Sequence, residues 1–246
     1  MMKLYQKSEI SFAVLWIVVY VVLSNIADQL SEAVGVMKSV TAALHVLMSL
    51  ILFFWIRSNH LSRKYGFCRS EVPARRFLYY LPLIFIASAA FWGGIELHCS
   101  FSEAVLFIVS MSCVGFLEEV IFRGLLFRAM EKDNLKSAII VSALTFGIGH
   151  IVNLFNGSGK DLSSTLIQII FAVLVGFVLV LIFYHGKSLV PCILFHSANN
   201  ALKVFSAEGS LSPQAEMIIN LVIIVVILGG YALYLVRMFP LKEESR

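Results

Sequence analysis

Long apolar runs separated by short clusters of charge dominate the chain. Eight of them, at roughly 10–27, 39–56, 77–97, 104–127, 137–155, 163–184, 188–204 and 215–238, approach bilayer length, since a spanning helix needs about 20 mainly apolar residues. The pattern predicts an all-α, polytopic membrane protein with about eight transmembrane helices, folded as one domain over residues 1–246. The first run follows Lys3 and Lys7 as a signal peptide would, but SNIAD offers no small-x-small cleavage site, so a retained span is expected. The fourth run is unusual because it carries Glu118, Glu119 and Arg123.

Composition narrows the class further. Apolar residues make up 59% of the 246 and charged residues 14%, against about 25% charged in a soluble domain, so the chain lacks the charged skin that a soluble fold needs. Abundant Phe, Leu, Ile and Val exclude disorder. The four cysteines, Cys68, Cys99, Cys113 and Cys192, form no C-x-x-C pair and suggest neither a disulfide framework nor a thiolate metal site. A net charge of +4 does not indicate nucleic acid, because the basic residues sit between apolar runs. With both termini cytoplasmic, sixteen of the nineteen Lys and Arg fall inside, and only Lys38, Lys160 and Lys203 fall outside, as the positive-inside rule requires. The basic loop 57–76 serves as a topology determinant, with attraction of anionic lipid as the alternative. No internal repeat of the kind found in inverted-repeat transporters is evident.

An ionised side chain at mid-helix costs about 2.5–3.5 kcal/mol even on the lenient insertion scale. Three runs nevertheless carry polar sets: E-E-V-I-F-R at 118–123, F-G-I-G-H at 146–150 and H-S-A-N-N at 196–200. Glu119 and Arg123 stand i, i+4, about 40° apart around a helix, which suits a charge-neutralising pair. Glu118 lies about 100° around from Glu119, is spared that guanidinium, and is assigned to proton transfer. Phe146 with His150, and His196 with Asn200, each share one helix face. Gly147 and Gly149 allow a neighbouring helix or a substrate backbone to come close, and Pro191 suits a first helical turn. His45, alone in the second run, is expected to be a hydrogen-bonded packing residue.

Other intramembrane protease designs fit less well. The zinc motif H-E-x-x-H is absent, and the only aspartates, Asp28, Asp133 and Asp161, lie in loops or at span ends. Ser112, Ser142 and Ser197 fall within spans but in no G-x-S-G setting, and a lone membrane serine usually bonds to backbone.

Three motifs in order, Glu118-Glu119…Arg123, Phe146…His150 and His196…Asn200, resemble those of the CPBP (Abi) family. That family contains the type II CAAX prenyl endopeptidases and bacteriocin-processing or immunity proteins. The resemblance covers about 105–205 as a motif-bearing core. It implies an eight-helix intramembrane endopeptidase of the cell membrane whose cavity opens on the cytoplasmic side. Carried over, Glu118 and His150 prepare a nucleophilic water and His196 and Asn200 bind the oxyanion, while Glu119, Arg123 and Phe146 support the site. The implied partners are the lipid bilayer and a membrane-associated peptide or protein, such as a bacteriocin or pheromone precursor or a CAAX-type C-terminus. Metal-free glutamate catalysis is preferred, because a Glu118 that ligated zinc with His150 and His196 would no longer be a free base.

Two other functions compete: a non-catalytic immunity or partner-binding protein, and a proton-coupled transporter. Depth poses a separate difficulty. A fourth span starting at 104 puts Glu118 about 21 Å from the outer face, whereas His150 lies about 20 Å from the inner face, so the two miss each other by several ångströms. A span slid to about 109–129 behind a short interfacial segment would bring them level.

Overall fold

The computed structural model describes residues 1–154, 162–207 and 213–239. A short amphipathic helix, α1 (Met2–Lys7), precedes α2 (Glu9–Val34) and α3 (Ser39–Ser58). These are followed by the broken helix α4 (Ala74–Phe91), α5 (Phe101–Met130), and α6 (Leu135–Ile148), which tightens into a 3-10 turn over Gly149–Leu154. The last three are α7 (Leu162–Gly186), α8 (Val190–Ala201) and α9 (Met217–Met238). Among the described residues no strand forms, and a single bridge joins Ile95 to Ser206. Seven helices are long and apolar enough to cross a bilayer. The chain is a multi-pass membrane protein.

The predicted run not among these seven is the seventh, 188–204, which forms α8, and it is short for a physical reason. The loop after α3 is drawn into the bundle and takes the 186–189 turn with it. Glu71 N–H donates to Gly186 O (2.9 Å) and Leu189 N–H to Gly66 O (2.9 Å), while the Ser188 hydroxyl donates to Cys68 O (2.6 Å). Helix α8 therefore starts deep, with Pro191 in its first turn, where a missing N–H costs least. With its terminal 3-10 turn Leu202–Phe205 it covers about 26 Å, enough to reach the opposite face, where Glu96 N–H bonds Phe205 O (3.0 Å).

Helix ends differ from the sequence expectations where polar residues cap or extend them. Ser100 and Glu103 form a capping box, so α5 starts at Phe101 and runs 30 residues to Met130. Residues 101–108, where an interfacial segment would reconcile the depths, are helical and continuous with the rest of α5, whose 30 residues exceed the length that a bilayer core requires. Helix α2 outlasts its predicted end near 27, carrying Ser24, Asn25 and Asp28 on helical turns up to the left-handed Gly35 cap. The third span is regular only over Leu81–Ser88, because Leu78, Tyr79 and Tyr80 take left-handed backbone just before it.

The bundle has two unlike ends. Loop 59–73, the α5–α6 and α7–α8 turns and the end of α9 share one face, which carries the arginine-rich segments. Here Tyr65, Phe77, Phe127, Phe183 and Leu189 are all fully buried, and Gly66 sits at φ +73 where a Cβ would collide with Phe183 and the Leu189 backbone. Lys64 donates to Glu9 (2.7 Å) and to the Tyr5 hydroxyl (2.6 Å), fastening the loop to α1 and α2. Burial, and then the neighbouring Arg128, hold the Lys187 ammonium below the usual lysine range. Lys160, Asp161, Lys242 and Arg246 lie outside the described residues.

Candidate active site

The middle of α5 departs from α-helical winding. Glu119–Phe127 forms a π-helix, a distortion that displaces backbone bonds and recurs at functional sites. The Phe122 carbonyl instead accepts the Ser142 hydroxyl of α6 (2.9 Å). Ser197 donates to Ser112 O across the α5–α8 contact (2.9 Å), so both serines bond backbone as expected, though on a neighbouring helix.

Glu119 and Arg123 meet as the i, i+4 spacing predicts, at 3.0 Å and with both side chains fully buried. Arg123 therefore belongs to the interior rather than to the cytoplasmic charge count. Its guanidinium lies 4.1 Å from the Phe146 ring centre, close enough for a cation–π contact. Phe146 also meets His150 and His196 edge-on, with ring centres at 5.6 and 5.5 Å. One ring thus sets the spacing between the three motifs.

His196 stands between the two glutamates. Its Nδ1 is 2.8 Å from Glu119 Oε1 and its Nε2 is 3.4 Å from Glu118 Oε2. Because Glu119 is paired with Arg123 and accepts, the Nδ1 proton is donated to it, which fixes the ring's orientation. His150 Nδ1 lies 3.2 Å from Phe146 O, its own i−4 carbonyl. That bond puts the proton on Nδ1 and leaves the Nε2 lone pair available.

Glu118, His150 and Asn200 line one cavity of about 250 Å³ with Phe122, Phe146 and Gly149. The fold thus brings Glu118 and His150 to one cavity. The two glycines divide their work: a Cβ on Gly147 would strike Val173 of α7, whereas Gly149 meets nothing within 4 Å. Asn200 Oδ1 lies 3.5 Å from the Asn199 amide.

One partner was not expected from the sequence. The Tyr20 hydroxyl of α2 donates to Glu118 Oε1 at 2.7 Å, so Glu118, which among the described residues meets no lysine or arginine, has a hydroxyl to orient it. A lone tyrosine amid the apolar residues of the first span was the only available hint. His45 is buried and bonded to Ser24 and Ser110, both at 3.0 Å, as expected of a packing residue, although it also borders the cavity.

The cavity extends away from the arginine-rich face. Its outer lining comes from Asn25, Asp28, Lys38, Val152, Gln168 and Lys203, with Asp28 and Lys38 ion-paired at 2.6 Å. If the basic loops are cytoplasmic, this is the face opposite the one expected for the opening. Helix α2 packs on α3 and on the π-helical turns of α5, and it has no comparable contact with α6 or α7. Among the described residues no group of three His, Cys, Asp or Glu is spaced to hold a metal ion.

Residues 100–202 match the model of the type II CAAX prenyl endopeptidase Rce1-like family. No curated protein and no solved structure matches the chain. The matched segment begins at the cap of α5, ends one residue past α8, and contains all three polar motifs. Over this core, 103 of the 246 residues, the chain is similar to the type II CAAX prenyl endopeptidase Rce1-like family of membrane proteases.

Proposed function

We propose that the protein is an intramembrane endopeptidase in which Glu118 activates water to cleave a membrane-associated peptide. The observation that carries this reading is the constellation around Glu118. The carboxylate faces a cavity, is oriented by Tyr20, and stands beside His196 with, among the described residues, no lysine or arginine within ion-pair reach.

Glu118 takes a proton from a water that His150 Nε2 helps to hold, and the water oxygen attacks the scissile carbonyl carbon. Negative charge develops on the carbonyl oxygen and is met by the Asn200 amide and His196 Nε2–H. Donation from Nε2 requires a doubly protonated ring, with Nδ1–H given to Glu119. Donors aimed at such an oxyanion are worth about 3–4 kcal/mol each. Collapse breaks the C–N bond as Glu118 returns its proton to the leaving amine. Glu119 and Arg123 act through His196 as positioning residues, and Phe146 sets the ring spacing. The substrate class we favour is a peptide precursor, such as a bacteriocin or pheromone precursor, over a CAAX-type C-terminus.

The test is cleavage of a precursor-peptide library by purified protein in liposomes, read by mass spectrometry. Cleavage by wild type that persists with chelator and is lost in Glu118→Gln is the expected result. Loss with chelator and recovery with zinc would overturn it and make Glu118, His150 and His196 ligands instead. Full activity in a folded Glu118→Gln variant would likewise exclude Glu118 as the base.

A further inference from the structure

We infer that the cavity is entered from the non-cytoplasmic side, so the substrate is a peptide segment presented there rather than a cytoplasmic tail. For the word "substrate" this rests on the proposed peptidase reading; the sidedness itself rests on independent observations.

The first is the direction of the cavity. Every charged residue among the described outer lining, Asp28, Lys38 and Lys203, stands near the end of an element on the face opposite loop 59–73. The second is the seal at the other end. Beyond the Glu119–Arg123 pair, Leu125, Leu126 and Phe127 are buried, and Gly66, Cys68 and Glu71 are bonded to the 186–189 turn. A peptide arriving from that side would have to break the loop away from the bundle.

Charge then assigns the sides. Among the described residues, with Arg123 set aside as buried, thirteen Lys and Arg lie toward the sealed face and only Lys38 and Lys203 toward the open one. Positive residues are retained on the cytoplasmic side, so the sealed end is cytoplasmic and the mouth faces outward. Among the described residues α2 packs mainly on α3 and α5 rather than on α6 and α7. A peptide anchored in the outer leaflet can reach such a mouth without crossing the membrane.

Two native cysteines help to test this, because Cys68 lies in the sealed loop and Cys99 in the segment between α4 and α5 on the opposite face. Intact cells are treated with a membrane-impermeant sulfonated maleimide, then compared with permeabilised cells. The proteins are wild type, Asn25→Cys inside the mouth and Lys132→Cys on the sealed face. We expect Asn25→Cys and Cys99 to be modified in intact cells, and Lys132→Cys and Cys68 at least about tenfold more slowly until permeabilisation. Modification of Lys132→Cys in intact cells, or of Asn25→Cys only after permeabilisation, overturns the inference. Should Asn25→Cys fail to accumulate, the Cys99 and Cys68 pattern in wild type decides in the same way. Labelling requires no activity, so an inactive protein labelled as expected would sink the peptidase reading and leave the sidedness standing.

Discussion

The two ends of the bundle use the same kinds of residue to opposite effect. At the arginine-rich end, aromatic rings and a glycine-hinged loop close the interior, and charged side chains ride on the outside or pair locally, as Lys64 does with Glu9. At the other end, α2 carries Ser24, Asn25 and Asp28 inward, and these line a cavity with Glu118 at its floor. The Glu119–Arg123 pair marks the boundary between the two. A buried ion pair is costly to form and more costly to break. Here it carries the orientation of His196 on one side and caps the packed core on the other.

The comparison breaks most sharply at Glu118. In Glu118→Gln, cleavage is expected to fall by about 10³-fold with an unchanged unfolding midpoint, because the amide still accepts from Tyr20 but cannot take a proton. Arg123→Met leaves Glu119 as an uncompensated buried charge and should cost about 3–5 kcal/mol in denaturant unfolding in detergent. Adding Glu119→Gln should recover most of that loss; a double variant as unstable as the single would show that packing, not charge, is at stake.

The sealed end is tested by Gly66→Ala, which forces a side chain into left-handed backbone against Phe183 and should cost about 1–3 kcal/mol, visible as faster proteolysis of loop 59–73. At the site, Tyr20→Phe removes one hydrogen bond, worth about 1 kcal/mol. It should lower cleavage by roughly fivefold and alter its pH profile while stability barely moves. An unaltered pH profile would reduce Tyr20 to packing. The mildest change is Asn25→Ala at the mouth, within about 0.5 kcal/mol of wild type by thermal unfolding.

Much of the site was legible because helical periodicity is local. The i, i+4 rule alone placed Glu119 against Arg123 and put His150 on the face of Phe146, and both relations hold in the structure. Span boundaries were less legible where polar residues serve the helix instead of ending it. Ser24, Asn25 and Asp28 resemble the edge of a loop in sequence, yet they continue α2: Ser24 bonds His45 and Asp28 bonds Lys38 and Thr41, while Asn25 bonds back to Val21 O of its own helix. The Tyr20–Glu118 bond joins residues 98 positions apart, and nothing local to either announces it.

What the sequence determined by itself was what bilayer cost and helix geometry enforce: apolar runs that must cross as helices, a charge bias that orients them, and polar groups too expensive to be incidental. What only the tertiary structure decided was how those helices register. Loop 59–73 pulls the start of α8 inward, α5 and α6 bring Glu118 and His150 to one cavity, and α2 supplies Tyr20 to Glu118. These depend on side chains distant in sequence meeting in a packed interior, so the position of the cavity and the face on which it opens follow from packing and not from any one helix.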